Sequence, residues 1–282
     1  MEKKITLGHS PDADDAFMFY GLAQGAVSTP GFVFEHILQD IQTLNERVRR
    51  EELDVSAISF HAYPYVAEKY ALLGCGASMG DGYGPVLVSK RPLKTPDLSG
   101  LRVAIPGKLT SAYLALQLFL NDELNGGQPE WVETPFDRIL EDVADGRVDA
   151  GLVIHEGQLT YGAQGFHRVV DLGEWWCGRT GLPLPLGGNV IRKKLPADDR
   201  RKIAGFLSTS ISHGLEHIDG IVPKLSRYAR GLNESQTKRF VSMYVNDYTV
   251  DLGGNGKRAV REFLGRGVSL GVVPAFGELE WV

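Results

Sequence analysis

The chain has 282 residues, room for two domains, with 43% hydrophobic and 23% charged residues, the proportions of a folded globular protein. Its net charge of −5 argues against a broad surface for nucleic acid or another polyanion. No run approaches the roughly 18 apolar residues that span a bilayer, and Cys75 and Cys177 lack metal-ligand spacing.

Taken in chain order, short apolar runs alternate with helical patterns, the signal for βαβ units. Lys3-Lys4 is followed by the strand Lys4–Gly8 and then by polar residues, not by an apolar h-region, so a cytoplasmic protein is expected. In a reducing compartment the two cysteines read as small hydrophobes, not as a disulfide. A helix is expected over Asp14–Ala23, a strand over Phe32–Ile37, a helix over Ile41–Arg50, a strand over Val55–Ser59 and a helix over Phe60–Glu68. Strands follow at Val86–Ser89 and Arg102–Ile105, then a helix over Thr110–Asn121, a strand at Glu130–Glu133 and a helix over Phe136–Asp145. Ala150–Ile154 reads as a strand, Gly157–Gln164 as a helix, and Val169–Leu172 and Gly187–Arg192 as strands. The last third carries three successive helical patterns, Asp198–His217, Glu234–Val245 and Gly254–Gly265.

A weak internal repeat suggests the architecture. Leu44-Asn45-Glu46-Arg47-Val48 leads to Leu53-Asp54 and an apolar strand, and Ile139-Leu140-Glu141-Asp142-Val143 leads to Val148-Asp149 and another. Each half also starts with a strand–loop–helix. Two such halves joined by crossing strands make a two-lobed α/β protein with a periplasmic-binding-protein-like shape and C-terminal helices. The expected lobes are residues 1–93 plus 187–282, and an inserted lobe of residues 94–186, with linkers near Ser89–Pro96 and Leu184–Val190. Ligands of open α/β sheets sit beyond the carboxyl ends of the strands, here a cleft between the lobes.

That rule selects four segments. Pro106-Gly107-Lys108-Leu109-Thr110-Ser111-Ala112 follows a strand and opens a helix, so its free N–H groups and two hydroxyls suit a carboxylate, although a plain helix cap explains it equally. His155 follows a buried strand, where it can serve as base, nucleophile or a structural histidine, with Glu156 orienting the ring or starting the next helix. Ser56, Ala57, Ile58 and Ser59 bring backbone and hydroxyl groups to the matching end in the other half, while His61 reads as a helix-face residue. In the acidic run Asp12-Ala13-Asp14-Asp15, Asp14 or Asp15 reads as a helix cap, not as part of a metal site. Trp175 and Trp176 are placed on an interlobe loop, covering a flat ring or packing in the core.

Six segments in order carry a resemblance: Leu7-Gly8-His9-Ser10-Pro11, Asp15-Ala16-Phe17-Met18-Phe19-Tyr20, Asp40–Asn45, Pro106–Tyr113, Gly151–Glu156 and Gly181–Gly187. Together they resemble the menaquinone-biosynthesis branch of the periplasmic-binding-protein-like superfamily (type II fold), and within it the 1,4-dihydroxy-6-naphthoate synthases of the futalosine pathway. The resemblance implies a cofactor-free, metal-free lyase that converts cyclic dehypoxanthine futalosine to 1,4-dihydroxy-6-naphthoate. It implies His155 as the catalytic residue, Thr110 and Ser111 as substrate-binding hydroxyls with Ala112 beside them, and Ser56–Ile58 as a second substrate-contacting stretch. The implied partner is a small-molecule substrate, not nucleic acid or a membrane. The sister chorismate dehydratases and a non-catalytic carboxylate-binding protein are the alternatives. The family's first loop usually reads Ser-Pro-Cys-Pro-Asn-Asp, whereas this chain has Ser10-Pro11-Asp12-Ala13-Asp14-Asp15, with added negative charge.

Overall fold

A computed structural model describes residues 2–124 and 127–282. The chain begins with β1 (Lys3–His9), α1 (Ala13–Met18), α2 (Tyr20–Ala23), β2 (Phe32–Leu38), α3 (Ile41–Arg49) and β3 (Val55–Ser59). A 3₁₀ segment at Phe60–Tyr65 replaces the expected helix over Phe60–Glu68, because Pro64 removes an N–H from its middle. Then come β4 (Tyr70–Leu72), β5 (Ser78–Gly80), β6 (Val86–Ser89), β7 (Arg102–Ile105), α4 (Ser111–Glu123) and β8 (Glu130–Glu133). α5 (Ile139–Ala144), β9 (Ala150–Val153), α6 (Gly157–Thr160), β10 (His167–Asp171), α7 (Leu172–Thr180) and β11 (Leu184–Arg192) follow. The C-terminal third is helical: α8 (Ala197–Glu216), α9 (Ile218–Ile221), α10 (Glu234–Tyr244), α11 (Asp247–Val250) and α12 (Gly253–Ser269).

The strands form two sheets. The first has the order β2-β1-β3-β11-β4, with β5 also paired to β11; the second has the order β10-β6-β9-β7-β8. β1 runs parallel to β2 and β3, whereas β11 returns antiparallel to β3. In the second sheet β7 runs parallel to β8 and β9, and β6 is antiparallel to β9. β3 and β9 are buried along their whole lengths, which is why each reads as an unbroken small or apolar run.

Two expected boundaries need correction. β6 was expected in the first lobe, yet it pairs with β9 and β10 in the second sheet, so the chain crosses between Gly80 and Val86, ahead of the Pro-containing run 89–96. The crossing is tight: a Cβ at Gly84 or Gly173 would collide with backbone of the other segment. Leu184–Val190 is not a linker but most of β11, whose register shifts between Pro185 and Gly187, the bulge that admits a proline into a strand.

α7 was not expected as a helix. Asp171 caps it by accepting from Gly173 N (2.8 Å) and Glu174 N (3.1 Å), and Gly181 ends it in left-handed backbone (φ 66°). The tryptophans therefore sit on a helix, not on a loop. Trp176 is fully buried, donates Nε1–H to Pro183 O at 3.1 Å and meets Phe263 edge-on, while Trp175 packs against Phe119. Both are core residues.

Candidate active site

The carboxyl ends of β1, β3, β7 and β9 face one cleft of about 740 Å³. Of the residues singled out in the sequence, Ala57, Ile58, Ser59, Thr110, Ser111, Ala112 and His155 line it. Ser56 does not: its hydroxyl turns away and donates to Ala57 O at 2.8 Å, fully buried in the sheet.

α4 supplies the N-terminus expected to hold an anion, and its two hydroxyls have different duties. Thr110 Oγ1 accepts from Tyr113 N (3.2 Å) and donates to Gly107 O (2.8 Å), so it is a fully employed cap. Ser111 Oγ accepts from His61 N at 3.3 Å, which leaves its proton free to donate into the cleft. His61 is not on a helix face exposed to ligand; it is buried, its Nδ1 lies 3.1 Å from Thr110 O, and burial lowers its pKa. It ties the end of β3 to the start of α4. Gly107 has φ 144°, and a side chain there would run into Gln42 of α3, whose Oε1 accepts from Leu109 N at 3.2 Å. The loop before α4 is thus held against the opposite half by α3.

The loop after β1 and the loop after β9 meet at a buried group of carboxyls. Asp12 stands at the cap position of α1 but makes no side-chain cap bond; Asp14 and Asp15 lie inside the first turn, not at the cap as expected. Their side chains are drawn elsewhere. Asp15 Oδ2 accepts from Ser10 N at 2.6 Å, and Asp12 Oδ2 accepts from Ser10 Oγ at 2.6 Å. Asp12 Oδ1 is 2.9 Å from Arg230 and its Oδ2 is 3.3 Å from His155 Nδ1. Burial, reinforced by Asp15 and Asp12, pushes the Asp14 pKa well above its ordinary value and favours its protonated form. Burial raises Asp15 to about 7 and also raises Glu156. Asp14 lines the cleft and its Oδ1 has no partner among the described residues, so its carboxyl is turned to whatever enters.

His155 lines the same cleft, with its ring 4.7 Å from that of Phe136. Glu156 starts the next helix, and its carboxyl is 4.0 Å from Arg230 Nε. Asp12, not Glu156, stands beside the His155 imidazole. Behind His155, the Gln158 amide sits between Gly84 O, the Tyr244 hydroxyl and the His155 backbone N–H. Its nitrogen faces the Gly84 carbonyl, because two carbonyl oxygens cannot approach to 2.5 Å.

Sequence reasoning missed Arg230, Gln158 and Tyr244, which come from segments with no motif. It also passed over the buried His9–His36 pair at 3.0 Å, in which burial and the neighbouring His36 lower His9 to about 3.

The chain is similar to known proteins in sequence and in fold. A family model described as menaquinone biosynthesis matches residues 5–269. A 1,4-dihydroxy-6-naphthoate synthase from Streptomyces coelicolor is 37% identical over 274 residues, covering 97% of this chain and 96% of its own. One from Thermus thermophilus is 40% identical over 256 residues, 91% of each chain. The alkanesulfonate-binding protein of Xanthomonas axonopodis pv. citri, only 13% identical, superposes with a TM-score of 0.76 over 98% of this chain and 96% of that one. That likeness shows the two-lobed binding-protein fold alone.

Proposed function

The chain belongs to the menaquinone-biosynthesis family, and from that premise we propose that it forms 1,4-dihydroxy-6-naphthoate from cyclic dehypoxanthine futalosine as a cofactor-free lyase. The observation that carries the reading is the meeting, in one cleft, of His155, the free N-terminus of α4 at Ser111–Ala112, and the Ser59 hydroxyl. The substrate carries a carboxylate and a ketone flanked by acidic C–H bonds. The carboxylate rests on the α4 N–H groups and Ser111, where the helix dipole favours an anion. The imidazole of His155 removes a proton beside the ketone; the electron pair left behind opens the ring, and the ribose-derived fragment departs. Aromatisation drives the step forward. Asp14, whose carboxyl burial favours in the protonated form, stands in the cleft to donate a hydrogen bond where negative charge gathers on oxygen. Closure of the two lobes excludes water and orients the bond to be broken.

The protein is proposed to act in the cytoplasm on a small molecule, without nucleic acid or membrane partners. The described helices include none long and apolar enough to cross a membrane. The test is incubation of the purified protein with cyclic dehypoxanthine futalosine and, in parallel, with chorismate, with products followed by mass. Formation of the naphthoate supports the reading. Dehydration of chorismate, or binding without turnover, overturns it.

A further inference from the structure

Among the described residues, the non-glycine positions with left-handed backbone are Glu51, His155 and Arg230. Two of these three converge on one carboxylate. Asp12, 1% exposed, has Oδ2 at 3.3 Å from His155 Nδ1 and Oδ1 at 2.9 Å from the Arg230 guanidinium. Phe136 completes the group: its ring lies 4.7 Å from the His155 ring, and Arg230 Cζ stands 4.5 Å over its centroid. Left-handed backbone in non-glycine residues costs about 1 kcal/mol or more and persists where the surroundings demand it.

We infer that Asp12 is the positioning residue for His155, fixing the proton on Nδ1 so that Nε2 is the basic nitrogen, and that Arg230 holds the Asp12 carboxylate in place for that task. This rests on the reading of His155 as the base. A neutral imidazole has one donor and one acceptor nitrogen, and an ionised carboxylate only accepts. Beside Asp12, therefore, Nδ1 carries the hydrogen. Nε2 has no partner within the described protein and is left for substrate. Arg230 holds the other oxygen of that carboxylate, Oδ1, at 2.9 Å, which fixes Asp12 with Oδ2 toward the imidazole. The partners also come from different parts of the fold. Asp12 follows β1 of the first sheet, His155 follows β9 of the second, and Arg230 lies just before α10 in the C-terminal third. Cleft opening would part His155 from Asp12, so closure itself readies the base.

The groups facing His155 are Asp12 and Asp14 from the β1–α1 region, Glu156 beside it, and Arg230 from the C-terminal segment. Substitutions at Asp12 and Arg230 therefore test the tautomer of His155. Long-range ¹H–¹⁵N NMR of the wild-type protein should show His155 protonated at Nδ1 and bare at Nε2. In Asp12→Asn the Nδ1–H form should lose its dominance, because an amide can donate as well as accept. In Arg230→Gln the Nδ1–H form should also recede, because the carboxylate loses the cation that fixes it. Arg230→Lys should restore it. In steady-state kinetics Asp12→Asn should lower kcat tenfold or more with KM changed less than threefold. A His155 tautomer indifferent to both Asp12→Asn and Arg230→Gln overturns the positioning role, whatever the activities. His155→Asn separates the two levels. If it is inactive while Asp12→Asn turns over normally, only the role of Asp12 fails. If His155→Asn itself turns over normally, the reading of His155 as base fails.

Discussion

Asn45 and Ser59 hold each other by both ends: Asn45 Nδ2 donates to Ser59 Oγ at 3.0 Å, and Asn45 Oδ1 accepts from Ser59 N at 2.9 Å. Asn45 is fully buried on α3, and Ser59 ends β3 at the cleft. With its oxygen already accepting, the Ser59 hydroxyl has its proton to offer to a ligand. Asn45→Ala leaves the Ser59 N–H and hydroxyl without these partners and opens a small void. It should cost about 2–4 kcal/mol in urea unfolding, the range for a broken buried network. The fraction that still folds should show a raised KM, since Ser59 is no longer held.

The two hydroxyls at the start of α4 are separable. Thr110 is spent on the cap, bridging Tyr113 N and Gly107 O, whereas Ser111 accepts from His61 N and keeps its own proton for a ligand. Thr110→Ala should therefore cost about 1 kcal/mol of stability, the usual worth of a cap, and leave KM nearly unchanged. Ser111→Ala also costs about 1 kcal/mol of stability, because the buried His61 N–H loses its partner, but in addition it should weaken substrate binding by roughly 1–3 kcal/mol, the scale of a hydrogen bond to a charged group. Denaturation and KM measured on both variants check the division. Equal effects on KM from the two would refute it.

The strands that place the site were legible because burial on both faces imposes apolar, β-branched runs, as in Val55–Ser59 and Ala150–Val153. The N-terminus of α4 was legible because cap chemistry is local. α7 was not, since its start depends on the Asp171 cap and its Gly173 is required by a remote backbone segment. The orientation of His155 was also out of reach. Its neighbour Glu156 lies next in sequence, yet the carboxylate beside its ring is Asp12, which lies 143 positions away (155 − 12). Segment ends can be read from periodicity; which side chains meet across a cleft is fixed by tertiary packing.

The His9–His36 pair should make the fold acid-sensitive. His9 Nδ1 lies 3.3 Å from Ser10 O, so it carries the hydrogen, and Nε2 must accept from His36 Nδ1. Both rings are then neutral, and burial lowers His9 from 6.5 to about 3. An unfolded chain takes up a proton that the folded one refuses. The stability contributed by the neutral ring is full above pH 6.5 and is lost as pH falls toward 3. His9→Phe keeps the stacking on Phe19 (4.5 Å in the native pair) but cannot protonate. Its urea stability should fall less steeply than the wild type's below pH 6.5, after a loss of about 1 kcal/mol at neutral pH from the missing hydrogen bond. Parallel acid limbs would show that His9 is protonated in the fold.

Asp15 works in the opposite sense. Its folded value is raised from 3.8 to about 7, chiefly by burial and against the help of the Ser10 N–H. Between those two pH values the unfolded chain has lost the proton and the folded one retains it. Stability tied to this carboxyl is therefore complete below pH 3.8 and drains away as pH climbs to about 7. Asp15→Asn removes the titration, and its amide oxygen can still accept from Ser10 N. The variant should gain on the wild type by on the order of 1 kcal/mol for each pH unit through that window, with the gain levelling off at higher pH. Asp14→Asn should gain in the same sense as pH rises, because burial raises the Asp14 carboxyl too. Urea unfolding of the three proteins from pH 4 to 9 reads both slopes directly. A stability difference between Asp15→Asn and wild type that does not change with pH would mean that Asp15 is already ionised, and that the first turn of α1 carries more negative charge than its burial suggests.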